Sequence, residues 1–151
     1  MIKIICLGKI KEEFYKDAIT EYTKRLSKYT KLEIIELEDI NDKDINYALT
    51  KEKERIKKEI KFQDNVIILD PKGNEYQSEE FATVIDKELT YNSNITFIIG
   101  SSNGLADEIK NITTKKISFS KMTFPHQLFR VILLEQIYRA FKINNNEQYH
   151  K

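Results

Sequence analysis

The sequence has little of several residue types on which other protein classes depend. It contains one cysteine, two histidines and no tryptophan among its 151 residues. A single thiol cannot form an internal disulfide, and no His, Cys, Asp and Glu residues have metal-ligand spacing, so we predict no metal site. Cys6 lies within an apolar run over residues 2–7. We interpret it as a small buried hydrophobic residue rather than a nucleophile.

Long apolar runs are also absent. No segment is long enough to cross a membrane, and no basic-then-apolar leader opens the sequence, so we expect a cytoplasmic location without membrane association. Only four glycines and two prolines occur, and each is expected to mark a turn that matters. Hydrophobic residues at 40% and charged residues at 32% are typical of a globular protein. We predict one domain over residues 1–151.

Five short apolar runs alternate with longer amphipathic stretches. We predict strands over 2–7, 32–38, 66–69, 95–99 and 117–120. We predict helices over 12–29, 42–60, 78 to about 91, 105–111 and 126–142, with Ser78 capping the third. Strands that are apolar throughout, rather than alternating, favour a parallel sheet covered on both faces. The predicted fold class is therefore α/β with a mostly parallel sheet.

The helix over 126–142 is apolar nearly all the way round. A helix outside a small sheet normally needs one apolar stripe, so the remaining surface must be covered by something else. Deep burial within one chain is an alternative, but a domain of this size seldom buries a whole helix. We therefore favour a homodimer built on this helix.

Charge is distributed unevenly along the chain. Residues 32–108 carry nine Lys and Arg against eighteen Asp and Glu, whereas residues 109–151 carry eight against two. This asymmetry is compatible with a basic face that binds a polyanion, and equally with solvated lysine-rich helices.

Three predicted strands end in segments that contain glycine or proline beside polar residues, over 69–71, 100–104 and 119–125. Ligands of parallel α/β sheets bind outside the carboxyl ends of the strands, so these loops predict a pocket. The loop over 100–104 is neither a phosphate-binding P-loop nor a dinucleotide-binding fingerprint. Such loops suit an adenosine-like ligand held mainly by main chain, but several cofactors meet that description.

Longer motifs are more specific. They are GSSNGL at 100–105, SFSKMTFPH at 118–126, RVILLEQIYRAFK at 130–142 and YHK at 149–151. Together they resemble the ribosomal RNA large-subunit methyltransferase H family, the smallest members of the SPOUT superfamily, and the resemblance covers essentially the whole chain. Ser101 is a departure, since many members have a second glycine there.

The resemblance implies an enzyme that transfers a methyl group from S-adenosylmethionine to N3 of a pseudouridine in 23S rRNA. It implies a homodimer, an rRNA partner with the assembled ribosome as expected substrate, a trefoil knot over about 66–142 and a tail over 143–151. The implied cofactor-binding residues are Leu69, Gly100, Phe119, Ser120, Lys121, Met122, Thr123 and Phe124.

Candidate catalytic residues are His126, Tyr149 and His150, as proton-handling or base-orienting groups, and candidate RNA-binding residues are Arg130, Arg139 and Lys151. Each of these residues also has a local interpretation that stays open. His126 is then only a hydrogen-bonded residue at the start of a helix, the tail is a frayed end, and Arg139 forms an ion pair with Glu135 four residues earlier. Two other functional classes also stay open. One is a non-catalytic RNA-binding ribosome factor, and the other is an enzyme using another adenosine cofactor on a small metabolite.

Overall fold

The computed structural model describes all 151 residues as a five-stranded sheet with five helices. The strands are β1 (Ile2–Leu7), β2 (Leu32–Leu37), β3 (Val66–Glu75), β4 (Ile95–Ile99) and β5 (Lys116–Ser118). The helices are α1 (Glu13–Leu26), α2 (Ile45–Glu59), α3 (Ser78–Asn92), α4 (Asp107–Lys110) and α5 (His126–Asn144). The strand order is β2-β1-β4-β3-β5, and every pair of neighbours is parallel. The predicted α/β class and parallel sheet are confirmed.

Helices cover both faces of the sheet, which explains why the central strands are apolar along their whole length. All residues of β1 and β4 are buried. A core cluster of 18 residues joins one face to α1, α3 and α5, and a second of 8 joins the other face to α2 and α4. Cys6 lies in the larger cluster, where burial raises the pKa of its thiol to about 11. Its interpretation as a buried hydrophobic residue is confirmed.

Several element bounds differ from the prediction. β3 continues to Glu75 because the chain leaves the sheet after Leu69 and returns to pair Asn74 with Ile117. The predicted cap Ser78 is the first residue of α3 rather than its cap. Gln77 caps the helix instead, and its backbone N–H donates to the Glu80 carboxylate at 2.7 Å. A carboxylate three residues into a helix commonly makes this bond.

Helix α5 packs against both α1 and α3 on one face of the sheet. Its inner residues, including Leu133, Leu134 and Ile137, are buried. The apolar residues Leu128 and Ile132 stay only partly covered within one chain. The homodimer stays a prediction, since a single chain does not test it. No helix combines the length and apolarity needed to cross a bilayer.

The sheet order determines where the predicted loops meet. β3 lies between β4 and β5, so the carboxyl ends of these three strands are adjacent at one edge. Along the chain these strands follow one another as β3, β4 and β5, whereas in the sheet β3 lies in the middle of the three. β4 pairs with β1 on its other side. This arrangement brings together the loops over residues 69–71, 100–104 and 119–125, which are distant in sequence.

Candidate active site

A cleft of about 650 Å³ opens at the carboxyl ends of β3, β4 and β5. Three segments supply most of its lining: Leu69–Pro71, where β3 bulges out of the sheet, the loop that follows Ile99 in β4, and the stretch from Ile117 in β5 to the start of α5. These are the segments that the sequence predicted to converge. The volume falls within the range of ordinary small-molecule sites.

Seven of the eight predicted cofactor-binding residues line this cleft. They are Leu69, Gly100, Phe119, Ser120, Met122, Thr123 and Phe124. The eighth, Lys121, is exposed and does not line it. The convergence of these residues is therefore a property of the structure, whereas their contact with a cofactor stays a prediction.

The bulge within β3, between Leu69 and Asn74, forms the first wall. Asp70 accepts a hydrogen bond from the backbone N–H of Lys72 at 2.9 Å, which turns the chain out of the sheet. Its second oxygen lies 3.7 Å from the ammonium of Lys110, which also lines the cleft. The two charges place a polar pair beside walls that are otherwise largely apolar.

The loop after β4 forms the second wall as a tight turn. The backbone N–H of Gly104 donates to the carbonyl of Ser101 at 2.9 Å, and the two residues form an isolated antiparallel bridge. A Cβ placed on Gly100 would lie 2.5 Å from the carbonyl oxygen of Gly104. Only glycine at position 100 lets the two sides of the turn approach this closely.

The segment after β5 forms the third wall. Ser118 Oγ donates to the carbonyl of Ser120 at 3.0 Å, and Ser120 Oγ accepts from the backbone N–H of Met122 at 3.0 Å. These short-range bonds curl the chain so that its side chains turn into the cleft. The Phe119 ring meets Phe129 of α5 edge-on, with 5.2 Å between centroids, which anchors the segment to the core.

His126 begins α5 at the rim of the cleft and packs on the end of β1. Gly8 has φ +94°, and a Cβ placed on it would lie 2.8 Å from Cε1 of the His126 ring. His126 Nδ1 is buried and has no hydrogen-bond partner within the chain. Buried polar atoms are nearly always satisfied, so this nitrogen is an exception, and the His126 ring itself lines the cleft. His126 is also the first residue of α5, as the local alternative expected, so its catalytic role stays a prediction.

Arg130 requires a correction, because its guanidinium is not available to RNA. The residue is 1% exposed. Its Nη1 donates to Glu36 at 2.5 Å, and its Nη2 donates to the carbonyl of Gly8 at 2.9 Å. Glu36 also accepts from the backbone N–H of Ile10 at 3.0 Å. Arg130 therefore fastens the loop between β1 and α1 to the first turns of α5, where His126 lies.

The C-terminal tail folds back on its own chain rather than fraying. The Tyr149 hydroxyl donates to Glu135 at 3.1 Å, and the Arg139 guanidinium lies 4.8 Å from the centre of the Tyr149 ring. Burial, followed by the nearby Glu135 carboxylate, raises the pKa of Tyr149 to about 12. In this position the Tyr149 hydroxyl is a hydrogen-bond donor, and its catalytic role stays a prediction.

The other tail residues lie beside the same helix. His150 Nδ1 is 3.2 Å from Arg139 Nη1, and its Nε2 is 2.7 Å from Glu79 of α3. Arg139 also forms the expected ion pair with Glu135 at 2.6 Å, four residues earlier on α5. Lys151 is exposed. None of these tail residues lines the cleft of its own chain, so the structure does not bring Tyr149 and His150 together with His126.

Sequence reasoning missed several residues around the cleft. Leu105, Lys110, Ile117 and Phe129 line it. Apolar residues beside a predicted loop have no signal that separates lining from core. Glu52 was also missed: it is buried on α2 and accepts a hydrogen bond from Ser101 Oγ at 3.0 Å. No group of three or more His, Cys, Asp and Glu side chains is placed to hold a metal ion.

Known proteins resemble this chain along its full length. The family model described as predicted SPOUT methyltransferase matches residues 1–150. Ribosomal RNA large subunit methyltransferase H of Caldicellulosiruptor saccharolyticus is 48% identical over 154 residues, covering 100% of both chains. The protein of that name from Clostridium botulinum strain Kyoto is 54% identical over 157 residues, and the one from Clostridium perfringens strain 13 is 53% identical over 159, each match covering 99% of both chains.

Proposed function

This chain belongs to the SPOUT methyltransferase family, among the ribosomal RNA large subunit methyltransferases H, and from that premise we propose that it methylates N3 of a pseudouridine in 23S rRNA. The proposed methyl donor is S-adenosylmethionine. The observation that carries the proposal is the cleft at the ends of β3, β4 and β5, because it collects the residues that the family resemblance assigns to the donor. We further propose a cytoplasmic homodimer with a trefoil knot over about 66–142, acting on the assembled ribosome.

The cleft fits the proposed donor in size and in chemistry. Its volume of about 650 Å³ accommodates a nucleoside bearing an amino-acid chain. Phe119, Phe124 and Phe129 supply apolar surface for a flat ring. The turn after Gly100 supplies backbone groups for polar edges. Lys121, whose side chain lies outside the cleft, would contribute through its main chain.

Methyl transfer requires a donor and an acceptor held in line, with water excluded and the N3 proton removed. When bound, S-adenosylmethionine supplies a methyl group on a positively charged sulfur. The apolar walls keep water away from that group. His126 lines the cleft, and we propose that its ring handles the N3 proton or orients the base.

The tail residues are proposed to serve the cleft of a second copy of the chain. Tyr149 contacts Glu135, which lies nine residues beyond His126 on α5, about 13 Å along the helix axis. Tyr149 accordingly does not line the cleft that contains His126 of its own chain. A partner bound against the partly exposed Leu128 and Ile132 could bring its own tail to the cleft instead.

RNA binding is proposed for the exposed and half-exposed cations near that tail. Arg139 and Lys151 are the candidates that remain after Arg130 is removed from the set. Arg139 is held in place by Glu135, by the Tyr149 ring and by His150, so the guanidinium has a fixed orientation. A preorganised guanidinium loses little entropy when it binds a phosphate.

Calorimetric titration with S-adenosylhomocysteine tests the cofactor. We expect heat of binding at one site per chain, and its absence at high concentration would favour a non-catalytic RNA-binding factor. Mass spectrometry of 23S rRNA from cells lacking the protein tests the reaction. Unchanged methylation of every pseudouridine would refute it. Methylation of purified ribosomes but not of free 23S rRNA would support the proposed substrate.

Complementation tests whether the tail acts across the dimer. One chain carries His126→Asn and the other carries Tyr149→Phe with His150→Ala, and each homodimer is expected to be inactive. If the tail serves the partner, a mixed dimer has one intact site, and random mixing restores about one quarter of wild-type activity. If the tail serves its own chain, every site in the mixture is defective and activity does not return.

A further inference from the structure

Glu52 is a buried carboxylate that the proposed reaction does not use. It lies on α2, on the face of the sheet opposite α5, and is 1% exposed. Oε1 accepts a hydrogen bond from Ser101, and Oε2 is buried without a hydrogen bond of good geometry, although the backbone N–H of Ile40 lies close enough to lower the pKa of the carboxyl. A buried charge with half of its acceptors unsatisfied destabilises a fold. Stability alone therefore does not account for a glutamate at this position.

Ser101 connects this carboxylate to the cleft. Its Oγ donates to Glu52 at 3.0 Å and accepts from the backbone N–H of Asn103 at 3.3 Å. Its carbonyl accepts from the N–H of Gly104 at 2.9 Å. Both Ser101 and Gly104 line the cleft. Hydrogen bonds within the turn close it, and the bond to Glu52 is the side-chain link that ties it to a helix.

We propose that Glu52 is a positioning residue, which holds Ser101 and thereby sets the shape of the turn Ser101–Gly104 on the cofactor side of the cleft. This inference rests on the proposed function, since it assigns the turn to cofactor binding. It also gives Ser101 a defined role: the hydroxyl supplies the donor that Glu52 requires. Glu52 does not touch the cofactor and acts only through the turn.

Two variants remove the link from opposite ends. Glu52→Leu removes the acceptor and Ser101→Ala removes the donor, while Glu52→Gln keeps an acceptor oxygen for Ser101. We expect the first two to weaken binding of S-adenosylhomocysteine by about tenfold, which corresponds to about 1.4 kcal/mol. Glu52→Gln should stay within about threefold of wild type, a difference below about 0.7 kcal/mol. The double variant should bind no more weakly than either single one, because both break the same link.

Thermal unfolding separates positioning from a merely structural role. Removing a half-satisfied buried charge should leave Glu52→Leu as stable as wild type or more stable, even though its affinity falls. Glu54→Gln is a matched control on the same helix, since Glu54 is exposed and pairs only with Lys51 at 3.8 Å. It should change neither affinity nor stability.

Amide hydrogen exchange tests the link without any ligand. In Glu52→Leu and Ser101→Ala the N–H groups of Asn103 and Gly104 should exchange faster than in wild type, and in Glu54→Gln they should not. Unchanged exchange and unchanged affinity in both variants would overturn the inference. Wild-type protein that fails to bind S-adenosylhomocysteine would refute the proposed function instead, and the exchange rates would still decide whether Glu52 holds the turn. Ser101→Ala, a small change, keeps the test valid if Glu52→Leu does not fold.

Discussion

Replacing Arg130 by methionine tests whether this residue binds RNA or fastens the fold. Methionine keeps an unbranched apolar side chain but removes the guanidinium, so Glu36 and the Gly8 carbonyl each lose a donor. Removing one partner of a buried ion pair costs about 3–5 kcal/mol. The Glu36 side chain is 38% exposed, so water recovers part of that loss. We expect the free energy of unfolding to fall by about 2–3 kcal/mol.

For a chain of this length, such a loss lowers the melting temperature by roughly 5–10 °C. Urea unfolding at a fixed protein concentration is the assay, and the midpoint should fall while the denaturant dependence stays unchanged. Arg25→Met is the matched control, because Arg25 forms an exposed pair with Glu21 at 2.9 Å. It should shift the unfolding midpoint far less than Arg130→Met does, because exposed helical ion pairs contribute little.

The contrary result is equally clear. An Arg130→Met protein with wild-type stability but weakened affinity for rRNA would mean that the guanidinium leaves Glu36 to meet the RNA. The predicted RNA-binding role of Arg130 would then be restored, and its burial in the single chain would describe a resting arrangement only.

Three further predictions follow from the cleft and the tail. Gly100→Ala should weaken S-adenosylhomocysteine binding in calorimetry by more than tenfold, since its Cβ would meet the Gly104 carbonyl at 2.5 Å. In Gly104→Ala the Cβ meets open space but the backbone has φ +80°, so the main effect should be a loss of about 1–2 kcal/mol of stability. Equal effects of the two variants on binding would refute this contrast. Burial raises the pKa of Glu52 above its ordinary 4.5, so the protonated carboxyl is favoured in the fold and the wild type loses part of its free energy of unfolding as the pH rises from 4.5 through the folded pKa. Glu52→Gln cannot ionise, so in urea unfolding it should become progressively more stable than wild type over the same interval. Hydrogen bonds from Lys142 and then Tyr29 lower the pKa of Glu147 to about 2, so its stabilisation exists above pH 4.5 and is lost as the pH falls towards 2. Unfolding midpoints of wild type and Glu147→Gln should therefore converge on acidification, and midpoints that stay apart at pH 2 would contradict the assignment.

The strands were predictable because their signal is local. β1 and β4 have the predicted bounds, 2–7 and 95–99, since an uninterrupted apolar run between polar stretches leaves little choice about what is buried. Weaker signals shifted the ends of other elements. Helix α4 covers only Asp107–Lys110, where 105–111 was predicted, and α5 runs two residues beyond its predicted end.

The lining of the cleft was predictable for a related reason. Each loop follows an apolar strand and carries glycine, proline or small polar residues, so the three loops could be identified as strand ends from the sequence. The resemblance to a known family then named the individual residues. Lys121 does not line the cleft. The sequence could not distinguish it from its neighbours, because side chains in a loop do not alternate between two faces with a fixed period.

By itself, the sequence determined which segments are buried, because periodicity and apolar runs record the face that each segment turns to the core. Tertiary structure alone decided which polar groups meet. Arg130 pairs with Glu36 from 94 positions away, and Ser101 meets Glu52 from 49 positions away. A charged residue in a sequence has the same appearance whether it faces water or a buried partner. Its role is settled only when the order β2-β1-β4-β3-β5 brings distant segments into contact.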